Sequence, residues 1–285
     1  MRVDAHHHLW DLGVRDQPWI TDAMAPIRRS FRTEDLAPAA TSAGITATVV
    51  VQTVPDVVET VELLDLAATT PLIAGVVGWV DLAGADVADQ LDRLLTAPSG
   101  SWLAGIRSIV QAEPDPAWLL LPAVLDGLRE VASRGLAFDL LVRSDQLEAA
   151  AGAVSAVPEG RFVLDHLAKP GIAAGTWEPW ATQLAELASC PNVAAKLSGL
   201  VTEASWSDWT VDDLRPYVDL AVESFGPPRI LFGSDWPVCT LAAPYEEVVA
   251  TAEALIDGLD ATDRDAILGG NAVAAYRLHD RARVA

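Results

Sequence analysis

One repeated alternation constrains this chain more than any other feature. Short apolar, β-branched runs occupy residues 2–8, 45–52, 72–80, 103–110, 136–142, 161–166, 192–198 and 229–234. Between them lie longer Ala/Leu-rich stretches with helical spacing, at 33–43, 55–68, 86–95, 121–134, 146–156, 178–188, 211–225 and 245–257. A final helix at 261–268 and a tail through Tyr276 follow. Strict βα repetition implies a parallel sheet, and eight units imply closure into a (β/α)8 TIM barrel of the α/β class. The 285 residues suit a single domain over 1–285, with a C-terminal helical tail from residue 261. The alternative is an open doubly wound sheet. No Gly-x-Gly-x-x-Gly follows the first strand, which argues against a dinucleotide-binding version of it.

Composition narrows the partners. A formal charge of −21 repels phosphate backbones, so no nucleic-acid partner is expected. Apolar runs such as Thr48-Val49-Val50-Val51 are far too short to span a bilayer, so no membrane partner is expected either. The N-terminus lacks a secretory pattern, and Cys190 and Cys239 form no paired framework; both features read as cytoplasmic. The expected partner is a small-molecule substrate, with a homo-oligomer compatible with this composition.

Polar groups gather at the ends of the predicted strands. The first reads Val3-Asp4-Ala5-His6-His7-His8-Leu9-Trp10, and strict alternation puts Asp4, His6 and His8 on one face and His7 on the other. Two imidazoles on one strand end can hold a divalent cation or polarise a carbonyl. A tag remnant or a surface histidine cluster is the bland alternative. Arg107 lies on the fourth strand, followed by Gln111 and Glu113; Asp139 lies on the fifth. His166 ends the sixth, Lys196 and Ser198-Gly199 end the seventh, and Asp235 ends the eighth. In a barrel these ends share one mouth, where the chemistry of the fold is placed. Each residue also has a structural reading. His166 can be a core histidine, Asp235 a helix cap, Arg107 half of a buried ion pair, and Glu113 a loop acid. The ten tryptophans fall mostly in predicted loops, where an indole can carry a sugar ring or simply anchor the loop. Trp10 and Trp236 are the substrate-binding candidates among them.

These residues resemble the amidohydrolase superfamily: Asp-x-His-x-His on strand one, a single His on strand six and an Asp on strand eight. More closely, Gly105-Ile106-Arg107, Gln111-Ala112-Glu113-Pro114, Leu164-Asp165-His166-Leu167-Ala168-Lys169-Pro170, Lys196-Leu197-Ser198-Gly199 and Gly233-Ser234-Asp235-Trp236-Pro237 resemble the lactonase branch of amidohydrolase family 2. That branch includes the L-fuconolactonase and L-rhamnonolactonase sugar lactonases and the pyrone-dicarboxylate lactonases. The resemblance implies a catalytic set of His6, His8, His166, Asp235 and Arg107, with Arg107, Glu113, Trp10, Trp236 and Lys169 on the substrate. It implies either one zinc-like divalent ion on His6, His8, His166 and Asp235, or no metal. The fifth strand lacks the histidine, and the fourth the lysine, of a binuclear site.

The expected reaction is hydrolysis of a sugar-derived lactone. Asp235 activates water, best with its pKa lifted toward working pH. The imidazoles or a metal polarise the carbonyl, and Arg107 orients the substrate. No Gly-x-Ser-x-Gly elbow suggests a serine mechanism. The alternatives are a carboxylated lactone from aromatic degradation, a zinc-dependent decarboxylase on the same scaffold, and a binding protein without catalysis. For a carboxylated substrate the available cations are Arg107, Arg143 and Lys169.

Overall fold

The computed structural model describes residues 1–278. Eight parallel strands pair in sequence order: β1 Val3–His7, β2 Ala47–Val51, β3 Ile73–Gly78, β4 Leu103–Ser108, β5 Ala137–Leu140, β6 Arg161–Leu164, β7 Val193–Leu197 and β8 Ile230–Phe232. Between and after them run α1 Thr33–Ser42, α2 Val57–Thr69, α3 Val87–Thr96, α4 Pro122–Ser133, α5 Leu147–Ala156, α6 Trp180–Ala188, the single turn α7 Leu200–Glu203, α8 Val211–Phe225 and α9 Tyr245–Leu255. The short helices α10 Ala261–Asp265 and α11 Asn271–Tyr276 end the described chain, joined by a π-helical turn at Ala266–Gly270. This is the expected (β/α)8 barrel. The eight predicted helices between and after the strands hold to within two residues; α2 starts at Val57 rather than 55 because Asp56 caps it, accepting the Val58 N–H, and the final helix expected over 261–268 is α10 only to Asp265, where the π-helical turn takes over. None of the described helices is long and apolar enough to cross a membrane. His279, which the polar sequence of the tail predicts to be solvated, lies outside the described residues.

The barrel closes at a seam between β1 and the end of β8. Asp235 N–H donates to His6 O at 2.8 Å, and His8 N–H donates to Trp236 O at 2.6 Å. A register shift between Asp4 and His7 alters the first strand. Asp4 therefore does not share a face with His6 and His8. Its carboxylate staples the seam instead, accepting from Ser234 N at 2.8 Å, Ser234 Oγ at 2.6 Å and the Tyr245 hydroxyl of α9 at 3.0 Å. His7 turns to Thr48 Oγ1 at 2.9 Å.

Small apolar residues fill the lower barrel. Val3, Ala5, Val49, Val51, Ala104, Ala137, Val163 and Leu231 form one cluster with Val273, Tyr276 and Leu278 from the C-terminal segment. The larger core lies between the strands and the surrounding helices. Tyr276 is fully buried, and its hydroxyl donates to Asp139 at 2.8 Å. The tail is thus tied to the polar layer above the plug. Replacing Tyr276 with Phe removes that donor from a buried carboxylate, at a cost of about 1–3 kcal/mol. A lowered urea midpoint is the expected outcome; an unchanged midpoint would show that the hydroxyl contributes nothing to stability.

Candidate active site

Period-two alternation delivers the polar layer. One step beyond the small residues of the plug, the same faces carry charge: Ala137 then Asp139, Val163 then Asp165, Ala194 then Lys196. Asp139, Asp165, Lys196 and His6 are all fully buried. Lys196 Nζ reaches Asp139 Oδ2 at 2.5 Å, Asp165 Oδ1 at 2.8 Å and His6 Nδ1 at 3.0 Å. Arg107 Nη1 donates to Asp165 Oδ2 at 3.2 Å and lies 3.4 Å from His6 Nε2, while Nη2 donates to Gln52 O. Burial pushes Asp139 up to about 6, against the pull of Lys196. Burial acts on Asp165 in the same sense, but Lys196, His6 and Arg107 outweigh it and hold that carboxyl well below the ordinary range.

Above this layer four groups converge. Asp235 Oδ1 lies 3.5 Å from His8 Nε2, 3.7 Å from His6 Nε2 and 3.9 Å from His166 Nε2. His8 donates Nδ1–H to Val51 O at 2.8 Å, because a carbonyl can only accept. That bond fixes the ring and leaves Nε2 facing the site. Burial lowers His6 well below its ordinary value and His166 to about 4, so both rings are neutral at pH 7. Burial pushes Asp235 up, but the His166, His8 and His6 rings overcome it and hold the carboxyl below the usual range. Asp235 is therefore ionised across the working range, which is opposite in direction to the raised pKa that general-base efficiency favours.

The donor set fits a single divalent ion. His6 Nε2, His8 Nε2 and Asp235 Oδ1 form a triangle with sides of 3.1, 3.5 and 3.7 Å. Tetrahedral zinc with bonds of 2.0–2.1 Å sets its ligands about 3.3 Å apart. The outer partners also suit a metal: His8 Nδ1 is held by Val51 O, and His6 Nδ1 lies 3.3 Å from Asp165 Oδ1. The same frame accommodates a proton between the two rings. His6 Nε2–H then donates to His8 Nε2, and His6 Nδ1 accepts from Lys196.

His166 is presented by an unusual backbone. After β6 the chain leaves the extended region, and His166, Leu167, Ala168 and Lys169 all have φ between 49° and 58°. Each left-handed non-glycine residue costs about 1–2 kcal/mol, so the surroundings must hold the run in place. Trp180 Nε1–H donates to Leu167 O at 2.7 Å, and Lys169 Nζ meets Glu203 at 3.0 Å. His166 Nδ1 pairs with Ser198 Oγ at 2.9 Å. Gly199, at φ +68°, leaves room for the ring: a Cβ there would lie 2.6 Å from His166 Nδ1. Asp235 is also left-handed, at φ 57°.

A cavity of about 250 Å³ opens over these groups, lined by His8, Arg107, His166, Lys169 and Asp235 together with Trp19 and Gln111. His6 lies beneath it. Other residues assigned to substrate from sequence sit elsewhere. Trp10 donates its indole N–H to Arg29 O at 2.6 Å and meets Trp19 and Phe31 edge-to-face. Trp236 packs on Phe31, and Glu113 follows a 3-10 turn at Val110–Ala112, half-buried. Neither tryptophan nor Glu113 lines the cavity. Trp10 and Trp236 anchor the first loop, and the turn after β4 brings in Gln111 rather than Glu113. Asp165, the shared partner of Lys196, Arg107 and His6, was not singled out from sequence, although the alternation Val163-x-Asp165 carries its signal.

The sequence profile of the amidohydrolase family matches residues 3–278. An L-fucono-1,5-lactonase of Burkholderia ambifaria is 39% identical, over 97% of this chain and 96% of that protein. A second L-fucono-1,5-lactonase, from Burkholderia multivorans, is 36% identical over 99% and 98%. Among solved structures, an amidohydrolase from Burkholderia multivorans with bound zinc superposes with a TM-score of 0.92 at 35% identity, covering 97% of this chain and 99% of that chain.

Gly199→Ala tests the packing of His166 directly. The added methyl must displace the imidazole while circular dichroism stays native, so at least a tenfold loss of kcat is expected, roughly 1.4 kcal/mol in the barrier. Wild-type turnover in this variant would show that the ring position is immaterial.

Proposed function

This chain belongs to the amidohydrolase family, and on that premise we propose that it hydrolyses a sugar-derived lactone to the open-chain aldonate. The carrying observation is the convergence of one ionised carboxylate with three imidazoles at the floor of a cavity. The choice of a sugar lactone rests on the two full-length relatives that are L-fucono-1,5-lactonases.

In this reading Asp235 accepts a proton from a water as its oxygen bonds to the lactone carbonyl carbon. The carbonyl electron pair moves onto oxygen, and His166 and Arg107 face the developing oxyanion. Collapse of the tetrahedral species breaks the ring C–O bond, and Asp235 returns its proton to the leaving alkoxide. A low-pKa carboxylate is a weak base, but an aldonolactone is an activated ester and asks little of it. Arg107 is already tied to Asp165 and Gln52 O, so the guanidinium meets substrate in a fixed orientation. If a divalent ion is bound, His6, His8 and Asp235 hold it with His166 adjacent, and it supplies Lewis-acid polarisation of the carbonyl.

The cations of the mouth speak against a polycarboxylated lactone. Lys169 is paired with Glu203, and Arg143 with Asp145 at 3.0 Å. A pH-indicator screen of D- and L-aldonolactones, with L-fucono-1,5-lactone first and chelator present or absent, tests the reaction class. Turnover of at least one aldonolactone is expected. Silence across the panel, or carbon dioxide release from an aromatic acid, would exclude this reading. Asp235→Asn is expected to lower kcat by about 10²–10⁴-fold with little change in thermal midpoint, and near-normal turnover would remove Asp235 from the mechanism. His166→Asn separates catalysis from packing: a strong loss of kcat is expected, and a change in stability alone would make it a core histidine.

A further inference from the structure

We propose that a second cavity, next to the catalytic one but walled off from it, binds a neutral polyhydroxylated ring such as a free sugar or a simple glycoside. The dividing wall follows from the chain path. Glu203 holds Lys169 through its carboxylate and accepts the Ala173 N–H through its carbonyl, at 3.0 Å in each case. Beyond this wall Ile172, Trp177, Asp208, Trp209, Asp212 and Tyr217 enclose about 510 Å³. That volume falls within the range of small-molecule sites.

The lining combines ring faces, donors and acceptors. Trp177 is 38% exposed. Its ring centroid lies 5.3 Å from that of Tyr217, so the two form one continuous aromatic wall. Tyr217 is only 6% exposed and lines the cavity, and its hydroxyl makes no hydrogen bond within the described residues while staying accessible to solvent. A hydroxyl in that position is free to exchange water for a ligand hydroxyl. Trp209 is fixed as a wall by its indole N–H on Ala242 O at 3.1 Å. Asp208 receives the Ser207 hydroxyl on Oδ2 at 2.8 Å, which leaves Oδ1 available. Asp213 is committed to capping α8.

This inventory selects among ligand classes. An anion is repelled by Asp208, and by Asp212 to the extent that Arg215 at 3.9 Å leaves its charge uncompensated; that includes the aldonate released in the proposed reaction. A cation answers the carboxylates, but Trp177 and Tyr217 touch each other and give it one aromatic wall rather than a cage, and it leaves the Tyr217 O–H donor unused. A hydroxylated ring answers every group. Its apolar face covers Trp177, its hydroxyls donate to the carboxylates, and one accepts from Tyr217. The inference rests on this cavity alone and survives if the lactonase reading fails.

Fluorine NMR of the full-length protein labelled with 5-fluorotryptophan tests it, with the Trp177 resonance assigned through Trp177→Phe. The probes are methyl glycosides of L-fucose, D-galactose and D-glucose, with tetramethylammonium and gluconate as controls. A saturable shift of the Trp177 resonance is expected with at least one glycoside. Asp208→Asn and Tyr217→Phe should each weaken binding by about fivefold, the worth of one hydrogen bond. In Trp177→Phe, kcat/KM for lactone should stay within about twofold of wild type, as for a surface change away from the reacting groups. The proposal is overturned by no saturable shift with any glycoside, by a larger response to tetramethylammonium or gluconate, or by wild-type affinity in both cavity variants.

Discussion

The Asp165 carboxylate holds this site together. It is fully buried, and Lys196 at 2.8 Å, Arg107 at 3.2 Å and His6 at 3.3 Å all converge on it. These partners come from β7, β4 and β1, while Asp165 itself follows β6. One carboxylate therefore sets the relative positions of four staves of the barrel. Two buried cations would be untenable without Asp165 and Asp139, since desolvating an unpaired charge costs several kcal/mol. Stability alone does not explain such a layer, because an apolar filling of the same volume is often as stable. What it adds is direction. It orients His6 from below and aims Arg107 at the cavity.

Backbone strain is concentrated at the same place. Residues 166–169 and Asp235 are the left-handed non-glycine positions bordering the site, and they present His166, Lys169 and Asp235 to the cavity. Strain of this kind persists only where packing over-determines it, and it clusters at functional positions. Here the constraints are identifiable: Trp180 on Leu167 O, Glu203 on Lys169, Ser198 on His166, and the absent side chain at Gly199.

The architecture was legible because it depends on period. Eight alternations of a two-residue and a 3.6-residue pattern leave few closures other than a barrel, and α8 falls at the predicted residues, Val211–Phe225. The groups at the strand ends were legible because His and Asp ending apolar runs resist a packing explanation. Asp4 was misplaced because a one-residue register shift in β1 changes the face its side chain takes, and no residue type in Asp4-Ala5-His6 announces it. The left-handed run after β6 was invisible for a related reason: Leu167 and Ala168 have no local preference for it, so tertiary packing imposes it. The positions of Trp10 and Trp236 predict substrate platforms, yet both anchor a loop while Trp19 reaches the cavity. Sequence places an indole in a loop without saying which way it faces.

The account reduces to direct attack of water on a lactone carbonyl, with Asp235 handling protons and never forming a bond to carbon. A single turnover with enzyme in excess, run in 18O-labelled water and followed by mass spectrometry, examines that step most directly. The account predicts label in the carboxylate of the aldonate and none in the peptide containing Asp235. Unlabelled product together with label in that peptide would contradict it, because the oxygen would then have come from an acyl-enzyme formed on the carboxylate.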